Sequence, residues 1–297
     1  MGESLSRTID PRQPHGVPMK RTSLWDAPPE IPPGRVAPML PLPLLRLARG
    51  PAHGRTMSWP LTFAPAPGVL APGRRVYAIG DIHGCSERLG LVHRQIALDL
   101  RDRPADDVTL IHLGDYIDRG PDTAGVLSLL AREPAFPVAR VVNLMGNHEE
   151  MALQAIAFGD QRQAANWLAN GGTAALASWG VPRDAPLQEW PELLPREHLR
   201  FMSRLSLHFR VDDYLFAHAG VRPGIPLDQL SRRDLLWIRE PFLSSQQTFG
   251  AIVVHGHTPM ADPVLRANRI GIDTGAGRGG RLTCAVLEAD KVAFFAA

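Results

Sequence analysis

The sequence predicts an α/β protein in which parallel strands carry polar side chains to one edge of a sheet. Three segments share one design, since each is an apolar run followed by glycine and a metal-type ligand. They are RVYAIGDIHG (75–84), VTLIHLGDYIDRG (108–120) and ARVVNLMGNHEE (139–150). A short apolar run bounded by glycine is typical of a buried strand. We therefore expect three strand ends to supply one polar site.

The spacing of the three segments favours parallel pairing. Asp81 and Asp115 are 34 positions apart, and Asp115 and Asn147 are 32 positions apart. Each interval fits one strand–helix–strand unit, whose right-handed crossover lays its two strands parallel. Because parallel strands end at the same sheet edge, Asp81, Asp115 and Asn147 are expected to converge.

Residues 1–73 are expected to form a disordered tail before a folded domain at 74–297. This tail contains 15 of the 28 prolines and shows no sustained hydrophobic periodicity. Its segment PPEIPPGRVAPMLPLP is similar to a polyproline ligand for a partner protein, although an unstructured tail is the simpler interpretation. Met57 could also be the true start of the chain, which would leave the folded domain unchanged.

Strands and helices alternate over the first half of the folded domain. The predicted elements are, in order, a strand at 76–79, a helix at 86–100, a strand from 108, a helix at 122–132, a strand at 139–144 and a helix at 149–158. The first of these helices is amphipathic, and Pro121 is placed to open the second.

Residues 160–205 are expected to form a helical insertion beside the mouth of the site. Turns are predicted at 170–172, where the sequence is Asn-Gly-Gly, and at 180–182. Three tryptophans of the insertion are interpreted as core packing rather than as a platform for substrate: Trp167, Trp179 and Trp190.

The last third of the chain is expected to build a second sheet. Two strands are predicted at 207–211 and 214–217, around a turn at 212–213, and a short helix follows at 231–237. The other strands predicted for this sheet are at 251–259, 268–276, 281–288 and 291–296.

Composition and charge narrow the classes of function. The chain is 44% apolar, which can fill a core, and it has no apolar run long enough to span a bilayer. The net charge is +4 over residues 1–73 and −2 over residues 74–297, so we expect no nucleic-acid partner for the folded part. Cys85 and Cys284 give no disulfide framework, which favours a reducing cytoplasm.

The polar residues at the strand ends suit a pair of divalent metal ions. Asp81 and His83 are two apart on extended chain and point the same way, and the Asp115 carboxylate can bridge two ions. A neutral oxygen and two imidazoles are added by Asn147, His218 and His257. Such a ligand set without thiolate suits Mn, Fe or Zn. Two ions about 4 Å apart can activate water and hold phosphoryl oxygens for in-line attack.

Five blocks in order, GDIHG, GDYIDRG, GNHE, HAG and HGHTP, resemble the phosphoprotein-phosphatase family of calcineurin-like metallophosphoesterases. The resemblance covers residues 74–297 and is closest to compact bacterial and lambda-phage serine/threonine phosphatases. It implies a four-layer α/β/β/α sandwich with a dinuclear site on the strand ends of both sheets. It also implies hydrolysis of protein phosphoserine or phosphothreonine by direct attack of a metal-bound hydroxide, without a covalent intermediate.

The resemblance implies two sets of metal ligands that share one carboxylate. Manganese is favoured for both ions, and the first would be held by Asp81, His83 and Asp115. The second ion would be held by Asp115, Asn147, His218 and His257. His255 is left out, because the ligand in related phosphoesterases is the histidine followed by threonine.

The resemblance also implies four residues that act on substrate. His148 would protonate the departing alkoxide, with Asp118 orienting its ring. Arg119 would clamp phosphate oxygens with its planar fork. Arg239, in LLWIRE, stands where these phosphatases place a second phosphate arginine.

Two alternatives stay open. A symmetrical bis(5'-nucleosyl)-tetraphosphatase shares the scaffold and resembles the chain in GDIHGC and LTC, but Asp118 and GNHE in place of GNHD argue against it. A non-catalytic binding module that uses the fold and the tail to hold a partner is less favoured, because a site that has lost its catalytic function need not retain its metal ligands. The ligands in question are Asp81, Asp115, Asn147 and His257.

Overall fold

Two β-sheets pack against each other in residues 61–297, which are the residues that the computed structural model describes. The strands are β1 (Ala64–Pro65), β2 (Arg74–Ile79), β3 (Asp107–His112), β4 (Arg140–Asn143), β5 (His208–Val211), β6 (Tyr214–Ala217), β7 (Ile252–His255), β8 (Val264–Leu265), β9 (Arg269–Gly271), β10 (Thr283–Glu288) and β11 (Lys291–Ala296). The first sheet has the order β1-β11-β10-β2-β3-β4, and the second has the order β5-β6-β7-β9-β8.

Helices cover the outer faces of the sheets. They are α1 (Ser86–Asp102), α2 (Thr123–Leu130), α3 (Asn147–Phe158), α4 (Gln161–Trp167), α5 (Thr173–Ser178), α6 (Trp190–Leu193), α7 (Arg196–Ser203) and α8 (Arg232–Trp237). Within residues 61–297, none of these helices has the length and apolar character that crossing a membrane requires.

The predicted parallel arrangement of β2, β3 and β4 is confirmed. β2 pairs in parallel with β3, and β3 pairs in parallel with β4. Helices α1 and α2 provide the crossovers between these strands. The loops that follow the three strands therefore leave the sheet at the same edge.

Alternating side chains of β2 divide the core into layers. Tyr77 and Ile79 pack in a cluster with residues of the helices, whereas Val76 and Ala78 pack in a cluster with Phe216 of the second sheet. A third cluster covers the other face of the second sheet, where Leu215 and Val253 meet residues of the α8 region. These three clusters separate the four layers of the predicted α/β/β/α sandwich, which is thereby confirmed.

The prediction that the last two strands belong to the second sheet is wrong. β10 lies in the first sheet and pairs antiparallel with both β2 and β11. Its side chains are buried on both faces, since Cys284 packs in the helical cluster and Ala285 packs between the sheets. An apolar strand of this kind fits the interior of either sheet, so its hydrophobic pattern does not select one.

The predicted end of the disordered tail at residue 73 is also wrong. Residues 61–73 belong to the folded domain, because β1 pairs with β11 and Leu70, only 1% exposed, packs between the sheets. Proline is tolerated on an edge strand such as β1, so a proline-rich segment can still join a sheet. The remainder of the predicted tail, with the polyproline segment and Met57, lies outside the described residues.

Candidate metal and phosphate site

The six predicted metal ligands lie just beyond the carboxyl ends of five strands. Asp81 and His83 follow β2, Asp115 follows β3, and Asn147 is the first residue of α3 after β4. From the second sheet, His218 follows β6 and His257 follows β7, and these two strands are also parallel. All six side chains are buried. Both sheets therefore contribute to one polar site, although the role of each residue as a ligand stays a prediction.

Backbone strain is concentrated at this site. Among residues 61–297, seven residues other than glycine have a positive φ, and five of them are predicted site residues: His83, Asp115, Asp118, Arg119 and His257. Such conformations cost free energy and persist only where the surrounding structure enforces them. Their concentration at one sheet edge points to function rather than to packing.

Two glycines allow the backbone to approach the carboxylates closely. A Cβ atom on Gly256 would lie 2.0 Å from Oδ1 of Asp81, and one on Gly146 would lie 2.1 Å from Oδ1 of Asp115. Any side chain at either position would displace a carboxylate. The glycines of GNHE and HGHTP are thus required by the geometry of the site.

The hydrogen bonds of His218 identify which of its nitrogen atoms can bind a cation. Nδ1 lies 2.9 Å from the carbonyl oxygen of Leu113, which can only accept, so Nδ1 carries the proton. Burial lowers the pKa of His218 to about 4, so the ring is neutral at neutral pH and Nε2 presents a lone pair. That lone pair lies 2.9 Å from Oδ1 of Asn147 and 3.4 Å from Oδ1 of Asp115. Three acceptor atoms that face one another in this way fit a shared cation.

His83 has the same arrangement on the other side of Asp115. Its Nδ1 lies 2.8 Å from the carbonyl oxygen of Ile117, and its Nε2 lies 3.4 Å from Oδ2 of Asp115. Burial holds the pKa of His83 well below its usual range, so this ring is also neutral. Neutral imidazole is the form that binds metal ions.

His257 completes the second group of ligand atoms. Its Nδ1 lies 2.8 Å from Oδ1 of Asn147, and its buried Nε2 has no hydrogen-bond partner among the described residues. Ligand atoms lie within 4.8 Å of one another in two groups, one of His83, Asp115 and His148, and one of Asp115, His218 and His257. Asp115 belongs to both groups, which fits a carboxylate shared by two ions. This donor set suits divalent metal ions.

Asp81 lies outside both groups and beside a carboxylate that the sequence analysis missed. Burial and the negative charges of Asp273 and Asp115 hold the pKa of Asp81 well above its usual range. Carboxylates placed this close together favour a bound cation, which removes their repulsion. Asp273 follows β9, which is parallel to β7 and ends at Gly271. The strand predicted at 268–276 runs through Asp273, so the prediction did not place this residue at a strand end.

His148 and Asp118 form a buried pair. Nδ1 of His148 lies 2.6 Å from Oδ2 of Asp118, and both side chains are almost completely buried. Burial raises the pKa of Asp118 well above its usual range and lowers the pKa of His148 to about 4, because either charge is costly away from water. The short hydrogen bond therefore joins two groups that can share one proton.

Arg119 reaches across the mouth of the site. Its Nη1 lies 2.5 Å from Nε2 of His83, and its Nη2 lies 2.9 Å from Nε2 of His148. The guanidinium thus stands between the two rings, where an anionic group of a substrate would meet it.

The backbone of the helical insertion holds Arg119 in place. Residues Leu168–Gly172 connect α4 to α5 through a kink, and the non-helical residue of this kink, Gly171, lies within the turn predicted at 170–172. Gly171, with φ of 109°, accepts a hydrogen bond from the backbone N–H of Arg119 at 3.2 Å. A Cβ atom on Gly171 would lie 2.8 Å from Cγ of Arg119, so the kink needs glycine at this position for the close contact as well as for its positive φ.

Glu149 anchors the loop that carries Asp115 and Asp118. Its buried carboxylate accepts hydrogen bonds of 2.8 to 2.9 Å from the backbone N–H groups of Asp115, Tyr116 and Gly146. In the sequence, Glu149 stands out only as the residue that distinguishes GNHE from GNHD. Its structural role is to satisfy donors in a loop that has no strand partner.

An open groove of about 1050 Å³ lies beside His257, one of the predicted metal ligands. Trp237 lines this groove, 37% exposed, with its ring centroid 6.3 Å from that of His257. Arg239 also lines it and is exposed. Burial is the main cause of the low pKa of His257, and the charge of Arg239 lowers that pKa further. Arg239, the predicted second phosphate arginine, therefore lies close enough for its charge to lower the pKa of one predicted ligand.

Arg278 is a further arginine that the sequence analysis missed. It is exposed, and its charge adds to the lowering of the His148 pKa that burial and Arg119 produce. The neighbouring Gly277 lies so close to the site that a Cβ atom there would be 2.4 Å from Cβ of His83. The loop after β9 thus contributes positive charge to the rim of the site.

Comparison with known proteins gives a family match and several relatives. The family described as calcineurin-like phosphoesterase matches residues 74–292. Serine/threonine-protein phosphatase 1 of Salmonella typhimurium is 35% identical over 220 residues, covering 72% of this chain and 93% of the relative. Serine/threonine-protein phosphatase 2 of Escherichia coli is 33% identical over 220 residues, covering 71% of this chain and 91% of the relative.

Nucleotide hydrolases also occur among the similar proteins. An asymmetrical bis(5'-nucleosyl)-tetraphosphatase of Bacillus velezensis is 25% identical over 226 residues, covering 69% of this chain and 86% of the relative. A crystal structure provisionally assigned as a diadenosine tetraphosphatase superposes with a TM-score of 0.55 and 22% identity, covering 77% of this chain and 97% of that one. At that identity, the superposition supports the fold alone.

Proposed function

The chain belongs to the calcineurin-like phosphoesterase family and is a hydrolase of the phosphatase type, and we propose that it dephosphorylates phosphoserine and phosphothreonine in proteins. The observation that carries the proposal is the buried pair of His148 and Asp118, joined at 2.6 Å. The alkoxide of serine or threonine is a poor leaving group and needs a proton as it departs. A pair that holds one transferable proton meets that need.

In the proposed reaction, water attacks phosphorus while the bond from phosphorus to the serine oxygen breaks. Nε2 of His148 gives its proton to the serine oxygen, which leaves as the free hydroxyl, while the Nδ1 proton stays in the hydrogen bond to Asp118. The attacking water keeps one O–H on the inorganic phosphate and releases its other proton to solvent, from which Nε2 is protonated again. Arg119 already contacts Nε2 of His148, so its guanidinium lies where it can bind phosphoryl oxygens. Arg239 is proposed to add a second positive charge from the groove side.

The donor set supports two divalent ions, with Mn²⁺ proposed first and Fe or Zn as alternatives. Such ions supply an activated water and neutralise charge on the phosphoryl oxygens. The ligands proposed for the first ion are Asp81, His83 and Asp115. Those proposed for the second are Asp115, Asn147, His218 and His257.

The groove beside the ligands supports an extended substrate such as a phosphorylated segment of protein. Two of its arginines are paired, Arg222 with Asp234 and Arg232 with Glu150. Arg239 makes no ion pair among the residues of the described domain and is free to meet an anion.

We also propose that the reaction takes place in the cytoplasm, in agreement with the unpaired thiols of the chain.

A nucleotide hydrolase is the second candidate, because relatives named bis(5'-nucleosyl)-tetraphosphatases match at 25% identity. Those relatives are named asymmetrical, whereas the alternative drawn from the sequence was a symmetrical enzyme. A phosphate leaving group needs little help from an acid, so the pair of His148 and Asp118 is better explained by a phosphomonoester with an alkoxide leaving group.

Parallel assays of one preparation are expected to separate the two candidates. With Mn²⁺ present, the kcat/KM for release of phosphate from a phosphoserine peptide should exceed the kcat/KM for cleavage of diadenosine tetraphosphate. Phosphate release is measured for the peptide, and separation of the nucleotide products for the dinucleotide. Faster cleavage of the dinucleotide, with no phosphate released from the peptide, would reverse the order of the two candidates.

A further inference from the structure

We propose that Trp167 is a positioning residue for the proton-donating pair, a role that rests on the function proposed above for His148. The indole Nε1 of Trp167 lies 3.0 Å from Oδ1 and 2.9 Å from Oδ2 of Asp118. The side chain is completely buried, so its N–H has no access to water. The contact joins the helical insertion directly to the residue that orients His148.

The hydrogen bond from Trp167 fixes the χ2 torsion of Asp118, and this torsion directs the carboxylate at His148. The χ2 torsion of aspartate is broad, so a carboxylate held by one partner can rotate. In residues 61–297, the side chains that donate to the Asp118 carboxylate are those of Trp167 and His148. With the indole N–H placed between both oxygens, Oδ2 stays directed at Nδ1 of His148.

The fold holds the indole rigidly enough for this role. Trp167 ends α4 and is followed at once by the kinked segment Leu168–Gly172. A Cβ atom on Gly172 would lie 2.8 Å from the indole ring, so the backbone of this segment closes directly over it. The rings of Trp179 and Trp190 flank the indole, with centroids 6.5 Å and 5.8 Å away.

Core packing alone explains the burial of Trp167 but not the direction of its N–H. The other two tryptophans of the cluster direct their N–H groups away from the site. Trp179 donates to Nδ1 of His198 at 3.1 Å, and Trp190 donates to the carbonyl oxygen of Ala185 at 3.2 Å. The expected core packing of the three tryptophans is confirmed, and the proposed role of Trp167 adds to its packing. Trp179 supplies a matched control from the same cluster.

The test compares two leaving groups. Trp167→Phe removes the N–H donor, and its kcat on a phosphoserine peptide is expected to fall about tenfold, as for loss of a hydrogen bond to a charged group. Turnover of p-nitrophenyl phosphate, whose leaving group departs without a proton, should stay near the wild-type value. The KM for the peptide should not change. Trp179→Phe deletes the same kind of donor and should leave the ratio of the two activities unchanged.

A double-variant cycle adds a readout that a general structural role would not produce. If Trp167 acts through His148, adding Trp167→Phe to His148→Asn should cause no further loss on the peptide. Equal loss on both substrates by Trp167→Phe, or losses that add in the double variant, would overturn the positioning role.

The ratio of the two activities does not depend on the fraction of folded enzyme. If Trp167→Phe yields no folded protein, 3-benzothienylalanine at position 167 keeps the ring volume and replaces only the N–H, and the same ratio decides. If His148→Asn loses activity mainly on the peptide but the Trp167 variants do not, this inference alone is overturned. The proposed function, and this inference with it, would be overturned by either of two results. One is a wild type that does not turn over the peptide, and the other is an equal loss on peptide and p-nitrophenyl phosphate in His148→Asn.

Discussion

Asp115→Asn is expected to reduce hydrolysis of both alkyl and aryl phosphates by at least about 10³-fold, equivalent to about 4 kcal/mol of transition-state stabilisation. Asp115 is the residue common to the two groups of ligand atoms, and its oxygens lie 3.4 Å from Nε2 of His83 and of His218. Asparagine keeps the shape of the side chain but removes its charge and one acceptor oxygen. The variant should therefore fold and bind fewer metal ions.

The measurement pairs metal content per chain with kcat/KM on p-nitrophenyl phosphate. Asp262→Asn serves as the control, since this exposed aspartate pairs only with Arg281 among the described residues. Wild-type metal content and turnover in Asp115→Asn would show that the carboxylate is not shared by two ions. Circular dichroism of both variants tests whether the fold is intact.

His148→Asn is expected to lose about 10²- to 10⁴-fold in kcat on a phosphoserine peptide while it retains its metal ions. The loss should be much smaller on p-nitrophenyl phosphate, because that leaving group needs no proton. Nδ1 of His148 is held by Asp118, so Nε2 is the nitrogen that faces the departing oxygen in the proposed reaction.

His208→Asn is a suitable control, because His208 is exposed on β5 and lies outside the predicted site. Unchanged turnover of the phosphoserine peptide by His148→Asn would exclude this residue as the acid. Loss of metal ions together with loss of both activities would instead make His148 a ligand, as its place in a group with His83 and Asp115 allows.

The sequence predicted the parallel strands and the convergence of the site, because both depend on local patterns. Each strand is an apolar run closed by glycine, and the intervals between Asp81, Asp115 and Asn147 match strand–helix–strand units. The right-handed crossover rule then brings the strand ends together without knowledge of distant contacts.

The sequence did not predict the features that depend on distant pairing. β10 is apolar on both faces and fits either sheet, so only its pairing with β2 shows where it lies. β1 has only two residues, one of them proline, which is too few for any periodic signal. It pairs with β11, the last strand of the chain, so its position depends on a distant segment. The periodic pattern of apolar residues shows which side chains are buried, but it does not show which strand lies next to them.

Residues that act through other residues were missed for a related reason. A tryptophan in a helical insertion is most simply interpreted as core, and its N–H direction depends on tertiary contacts that the sequence pattern does not show, here the contact of Trp167 with Asp118. Asp273 belongs to no recognised block, although its position after a parallel strand is the criterion that found Asp115. The residue was missed because the predicted strand at 268–276 runs through it, whereas β9 ends at Gly271.

The most direct test of the dinuclear phosphatase is turnover of a phosphoserine peptide by metal-stripped protein as Mn²⁺ is added, with bound metal measured on the same samples. Turnover should be absent in chelator, rise with added metal and saturate when two ions are bound per chain, and Asp115→Asn should stay inactive throughout. Full turnover in the presence of chelator, or saturation with a single bound ion, would contradict a dinuclear site built on Asp115.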